Sequence, residues 1–165
     1  EEVGSGLYLA GAALEDVSGF DSLRVLGDGL SVGAFSDAPM LADLSGLNAL
    51  EEVAYIQIRS TGLERLTGLN AVREITSPDG DITITENAYL REVTGLRGAT
   101  AVPRYLSITY NDRLSDVSGL SNVQSIGSYL YIQENPSLAT EDAEKLRDDI
   151  GEENMACSVI SGNGG

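Results

Sequence analysis

Short triplets in which an apolar residue, a polar or small residue and a second apolar residue follow one another recur along the chain. They fall at Leu7/Leu9, Leu30/Val32, Ile56/Ile58, Ile82/Ile84, Leu106/Ile108 and Leu130/Ile132. A period of two puts both apolar members on one side of a strand, so the triplets predict six short, half-buried strands. Each is followed by an apolar anchor: Leu14, Leu41, Leu63, Leu90, Leu114 and Leu138. After the first five anchors comes a Ser-Gly or Thr-Gly step, at Ser18, Ser45, Thr67, Thr94 and Ser118. The hydroxyl is expected to cap a turn there, and the glycine to permit a tight backbone.

The copies beginning at Ile82, Leu106 and Leu130 superpose without gaps, at a constant spacing of 24 residues. Asn87, Asn111 and Asn135 keep register in them, whereas Ala12, Phe35 and Thr61 take that place in the looser earlier copies. An inward asparagine at a turn can bond backbone groups of its own copy and of the next. One copy is too small to bury its own apolar side, and stacked copies bury it continuously. The pattern therefore predicts an α/β solenoid with a parallel sheet of six to seven strands. It forms one domain over residues 1–165, with repeats starting near 7, 30, 56, 82, 106 and 130. Beyond Leu138 the apolar spacing becomes helical at Ala143, Leu146 and Ile150, with Thr140 as N-cap and Gly151 as stop. This predicts a capping helix over about 140–150 and a last strand over about 157–161. The terminal Gly-Asn-Gly-Gly is expected to be mobile, and no comparable cap precedes Leu7.

These columns resemble the receptor L-domain branch of leucine-rich repeats, over about residues 7–138. The resemblance implies a right-handed leucine-rich-repeat stack and a non-catalytic binding role, and it names no ligand. Two departures stand out. The anchor leucine follows the asparagine by three residues instead of the commoner two, and the second copy carries an insertion around Phe35–Met40. The chain also lacks an Asn-x-Ser/Thr sequon and a cysteine-rich companion module. Together these place the expected protein at a bacterial surface or in a secreted fraction, and the opening Glu-Glu-Val-Gly-Ser-Gly, without Met or a signal-peptide pattern, is read as that of a processed or trimmed piece of a longer product.

Three columns of each strand face away from the apolar side. The first reads Gly6, Gly29, Tyr55, Asp81, Tyr105, Tyr129; the second Tyr8, Ser31, Gln57, Thr83, Ser107, Tyr131; the third Ala10, Gly33, Arg59, Thr85, Thr109, Gln133. Five of the seven tyrosines lie on this face, and tyrosine combines a large contact area with a polar tip and few rotors to freeze. The candidate ligand-binding residues are Tyr105, Tyr129, Tyr131, Tyr55, Arg59, Gln57 and Gln133. Their expected partner is a protein or glycan. A passive spacer domain of a cell-envelope protein is the alternative, and a glycan-active enzyme a more distant one.

Composition narrows the chemistry. With 26 acidic against 10 basic residues the formal charge is −16, which repels nucleic acid and anionic membranes. Histidine is absent and Cys157 is the single cysteine, so no catalytic residue, metal ligand set or cofactor is expected and the chain is expected to be monomeric. Cys157 lies in the apolar-leaning stretch Ala156–Ser161 and is read as a buried structural thiol. A column of Asp16, Asp43, Arg65, Glu92 and Asp116 is read as a solvated edge, because Arg65 interrupts it and no calcium-chelating loop accompanies it. Added calcium is accordingly expected to raise the melting temperature no more than sodium at matched ionic strength. A rise specific to calcium would turn that acidic column into a metal site.

Overall fold

The six triplets and the 157–161 segment form one seven-stranded parallel sheet in the computed structural model, which describes residues 1–33 and 37–165. Its strands are β1 (Leu7–Leu9), β2 (Leu30–Val32), β3 (Ile56–Arg59), β4 (Ile82–Thr85), β5 (Tyr105–Thr109), β6 (Tyr129–Gln133) and β7 (Cys157–Ser161). They lie side by side in chain order, with triplet matched to triplet: Ile56 faces Ile82, Leu106 faces Leu130 and Ile108 faces Ile132. From β2 to β6 both apolar members of every triplet are fully buried, as are the anchors Leu41, Leu63, Leu90, Leu114 and Leu138. Only the first copy is less complete, with Leu7 and Leu14 partly exposed. Phe35, at the asparagine position of copy two, lies outside the described residues.

The expected α/β leucine-rich-repeat solenoid of the receptor L-domain type is not what the chain forms. There are four separate parallel sheets, of four, two, two and seven strands, and one α-helix, α1 (Thr140–Ile150), among the described residues. Parallel neighbours need a long crossover, usually helical. Here the crossovers are extended chain, 3-10 turns and two-residue strands. Glu2–Val3, Val25–Leu26, Glu52–Val53 and Glu74–Ile75 build the four-stranded sheet. Arg65–Leu66 with Glu92–Val93, and Ala101–Val102 with Ser125–Ile126, make the two pairs.

The reason lies in the Ser-Gly and Thr-Gly steps. A Cβ on Gly46 would come within 1.9 Å of the Val17 carbonyl oxygen, one on Gly68 within 2.1 Å of the Leu44 oxygen, and one on Gly119 within 2.5 Å of the Val93 oxygen. Each glycine therefore presses against the backbone of the preceding copy. Copies held that closely on the crossover side cannot each carry a helix, which is about 10 Å wide against a strand spacing of about 4.8 Å. The hydroxyl is not the main cap either. Asp16 Oδ1 accepts from the Ser18 amide at 2.8 Å, Asp43 Oδ1 from the Ser45 amide at 2.8 Å, and Asp116 Oδ1 from the Ser118 amide at 2.7 Å. Three carboxylates of this surface edge thus also close the turns, and Arg65 pairs with Glu92 at 3.2 Å.

A buried ladder runs between strands and turns. Asn87, Asn111 and Asn135 are each wholly buried. The Asn111 amide donates to the carbonyls of Ile84 and Thr109 at 3.0 Å and to Asn135 Oδ1 at 3.1 Å. Its own Oδ1 accepts from the backbone and side-chain nitrogens of Asn87, both at 3.1 Å. Thr61 starts the ladder, its hydroxyl donating to Asn87 Oδ1 at 2.7 Å. Asn163 ends it, its Oδ1 accepting from the Asn135 amide at 3.2 Å. The residue before each rung is left-handed: Ser60, Glu86, Tyr110, Glu134 and Gly162 have φ of 48–67°. That turn swings the next side chain inward beneath its own strand.

The C-terminal end departs from expectation in two places. The tail is tied down, because the Thr140 amide donates to the Gly164 oxygen at 2.7 Å and the Gly164 amide to the Leu138 oxygen at 2.7 Å. The Thr140 hydroxyl donates to that same Gly164 oxygen at 2.8 Å and makes no N-cap bond; the N-cap is Ala139. Gly151, at φ 87°, ends the helix, and Ala143, Leu146 and Ile150 are its buried residues.

Two outcomes are expected. Asn111→Ala should lower stability by about 1–3 kcal/mol for each buried group left unpaired, and Asn163→Ala, at the part-buried end, by less. Equal, near-zero shifts in denaturant midpoint would remove the ladder as a stabilising device. The second outcome concerns pH. Hydrogen bonds from the Ser45 hydroxyl and amide hold the Asp43 carboxyl below its ordinary range, and the Ser18 amide does the same for Asp16. A lowered folded-state pKa contributes stability that is complete above the unfolded value of about 3.9 and is lost as pH falls through the folded value. Stability measured between about pH 5 and pH 2 should therefore fall more steeply in the wild type than in Asp43→Ala.

Candidate functional site

In-register pairing decides which of the face residues meet. Tyr105 opposes Tyr129 on β6, and Tyr131 opposes the small Ser107 on β5, which leaves the Tyr131 ring room beside both other tyrosines. Tyr129 and Tyr131 stack with centroids 5.7 Å apart and planes 16° apart. The Tyr105 ring sits 5.8 Å from Tyr129, at 40°, and 6.2 Å from Tyr131, at 56°. All three rings are half-buried. Burial pushes the Tyr131 phenol up from its ordinary pKa.

The patch is braced from one side by a cation. The Arg104 guanidinium lies 4.3 Å from the centre of the Tyr105 ring. Its Nε donates to Asp81 Oδ1 at 3.0 Å and its terminal nitrogen to Asp81 Oδ2 at 2.7 Å, while Asp81 Oδ1 also accepts from the Tyr105 amide at 2.9 Å. Bidentate geometry fixes the guanidinium plane, and the ring gains a cation–π contact. The face columns did not include Arg104. Opposite charges one repeat apart, at Asp81 and just before Tyr105, were the available signal.

On its other side the patch meets β7. Cys157 opposes Tyr129 and Val159 opposes Tyr131. Cys157 is an exposed free thiol, not the buried one expected, because odd positions of this edge strand point to the outer face.

The remaining candidates lie elsewhere. Arg59 binds Glu86 through Nε at 3.1 Å and a terminal nitrogen at 3.0 Å, so its charge is already matched. Gln57 Oε1 accepts from the Ser31 hydroxyl at 3.3 Å, and the Gln133 amide donates to the Ser161 hydroxyl at 2.9 Å. Tyr55 leans away from Tyr105 across Gly29, whose Cβ would fall 2.2 Å from the ring. Its hydroxyl lies 3.5 Å from that of Tyr8. A separate cleft of about 380 Å³ opens between the Ser118–Leu120 turn and α1, floored by Val117 and Leu146. Lys145, at its rim, is held by Asp149.

No helix among the described residues is long and apolar enough to cross a membrane, and no trio of acidic or cysteine side chains among them is placed to hold a metal ion. A testable consequence of the Tyr8–Tyr55 contact is its titration. The Tyr8 hydrogen bond, with burial, raises the Tyr55 phenol from 10.0 to about 12. Tyr8→Phe should bring one tyrosine back toward its ordinary value in an ultraviolet tyrosinate titration, and an unchanged curve would show that the hydroxyls do not meet.

No family model, curated protein or solved structure matches the chain. The leucine-rich-repeat resemblance is thus overturned by the sheet architecture and unsupported by any relative. The function it implied, a cell-surface recognition module of receptor type, falls with it. What stands, among the described residues, is a parallel β-sheet domain with a single C-terminal helix and a surface aromatic patch.

Proposed function

We propose that the chain is non-catalytic and holds a neutral glycan against the three-ring patch of Tyr105, Tyr129 and Tyr131. The observation that carries this is the stacked Tyr129–Tyr131 pair with Tyr105 beside it, all within 6.2 Å and half-exposed on paired strands. Flat rings offer the C–H faces of a sugar an apolar surface, and phenol tips bond its hydroxyls. Around the rings the face carries Ser107, Thr109, Thr83 and Thr85, which suit hydroxyl partners. A protein partner would ask for about 800 Å² of surface per side with an apolar centre, and outside the rings and the β7 residues Cys157 and Val159 this face is mostly polar. The charge of −16 disfavours acidic glycans and nucleic acid alike.

The non-catalytic part of the reading has its own support. Histidine is absent from the chain, and Asp81, the acid on the face nearest the rings, is spent in its bond to Arg104.

The chain has no tryptophan, so its emission comes from its seven tyrosines, three of which form the patch. Cello- and chito-oligosaccharides are expected to perturb that emission saturably. Tyr129→Ala and Tyr131→Ala should each weaken binding about tenfold or more, while Tyr89→Ala, exposed but off the face, changes nothing. Absence of binding to either series at millimolar ligand, or equal affinity in the patch variants, would overturn the reading.

A further inference from the structure

The N-terminal half of the same face carries a feature that the three-ring patch leaves unused. The first two positions of the first column are Gly6 and Gly29, and both approach aromatic rings. A Cβ on Gly29 would lie 2.2 Å from the Tyr55 ring, and one on Gly6 would lie 3.1 Å from the Tyr8 ring. The glycines thus remove side chains where two tyrosines settle onto the sheet. The Tyr8 hydroxyl lies 3.5 Å from the Tyr55 hydroxyl and donates to Asp28 Oδ2 at 3.4 Å, so the two rings brace one another. Tyr8 keeps 49 % of its surface exposed and Tyr55 is half-buried.

We propose that Tyr8 and Tyr55, on this glycine floor, form a second aromatic subsite, and that the ligand is an extended, β-linked neutral glycan lying across the strands. This rests on the glycan reading of the three-ring patch and adds the length and direction of the ligand.

The spacing supports it. The Tyr55 ring lies over β2, and Tyr105 stands on β5, three strand steps away, or roughly 14 Å. One column along, on β3 and β4, stand Gln57 and Thr83, which oppose each other directly. Gln57 uses its Oε1 toward Ser31 and keeps its amide protons for a ligand. A ligand crossing the strands from the Tyr55 ring to Tyr105 therefore meets aromatic surface, then Asp81 in the same column with Gln57 and Thr83 beside it, then aromatic surface again. Fully extended β-1,4-linked sugars advance by close to one strand spacing per unit, so the two aromatic groups lie about three sugars apart. Each sugar also presents a C–H face and an edge of hydroxyls, as this order requires.

The test is isothermal titration of cello- and chito-oligosaccharides from two to six sugars into the intact chain and its variants. Short members should bind through the three-ring patch alone, lose affinity in Tyr129→Ala and be unaffected by Tyr55→Ala. Affinity should then rise at least tenfold between two and five or six sugars, as a second linked contact is made. Tyr55→Ala and Tyr8→Ala should each abolish that rise, and Tyr55→Phe, which keeps the ring, should preserve most of it. Circular dichroism of each variant separates loss of contact from loss of fold. Tyr8 is the safer position, being the more exposed. A short-ligand affinity that depends on Tyr129 with no length dependence, or a length dependence untouched by Tyr8→Ala, would overturn the second subsite and leave the first standing. Failure of every length to bind would overturn the glycan reading itself.

Discussion

Successive copies of the repeat must lie one strand spacing apart on every side, and the buried asparagine ladder holds that spacing in the interior. A primary amide is suited to this because it donates twice and accepts at both lone pairs of one oxygen. Asn111 uses the whole set: its two protons are shared among the carbonyls of Ile84 and Thr109 and the Oδ1 of the next rung, and its oxygen receives two nitrogens of the previous one. Serine or alanine there would leave strand-end carbonyls buried and unpaired, which is costly in a low-dielectric interior. The left-handed residue before each rung is the local strain that this arrangement sustains, and four of those residues carry side chains: Ser60, Glu86, Tyr110 and Glu134.

The same spacing governs the crossovers. Glycines pressed onto the backbone of the preceding copy, and aspartates bonding the amide two residues on, produce turns thin enough to stack at strand distance. A crossover helix in each copy would force the copies to splay apart on that side. The one α-helix among the described residues lies in the crossover from β6 to β7 and packs against β7.

Strict register is also what turns scattered tyrosines into a surface. Tyr105 and Tyr129 are aligned because Leu106 and Leu130 are aligned beneath them. Whether a ring then stands in a cluster or lies down depends on its neighbours. Ser107 leaves space that the Tyr131 ring uses, and Gly29 leaves space that draws Tyr55 away. Charged neighbours sort similarly. Arg104 is fixed by Asp81 and supports Tyr105, whereas Arg59 is neutralised by Glu86 and contributes little charge to the face.

The amino-acid pattern by itself determined where strands begin, which residues turn inward and which columns share a face, because period-two alternation and the 24-residue spacing are properties of the chain alone. It also pointed to the inward asparagines at Asn87, Asn111 and Asn135. It did not determine how the chain returns between strands. A Ser-Gly-Leu step is compatible with a helix start or with a 3-10 turn, and only contact with the carbonyl of the preceding copy selects the turn. The last rung, Asn163, was unreadable because Gly-Asn-Gly-Gly looks like a loose tail until Leu138 and Thr140 are beside it. Cys157 looked buried among apolar letters, yet its parity on an edge strand turns it outward. Which tyrosines form the patch was likewise a tertiary decision, since ring direction follows the empty space that Ser107 and Gly29 leave, and that space exists only once the copies are stacked.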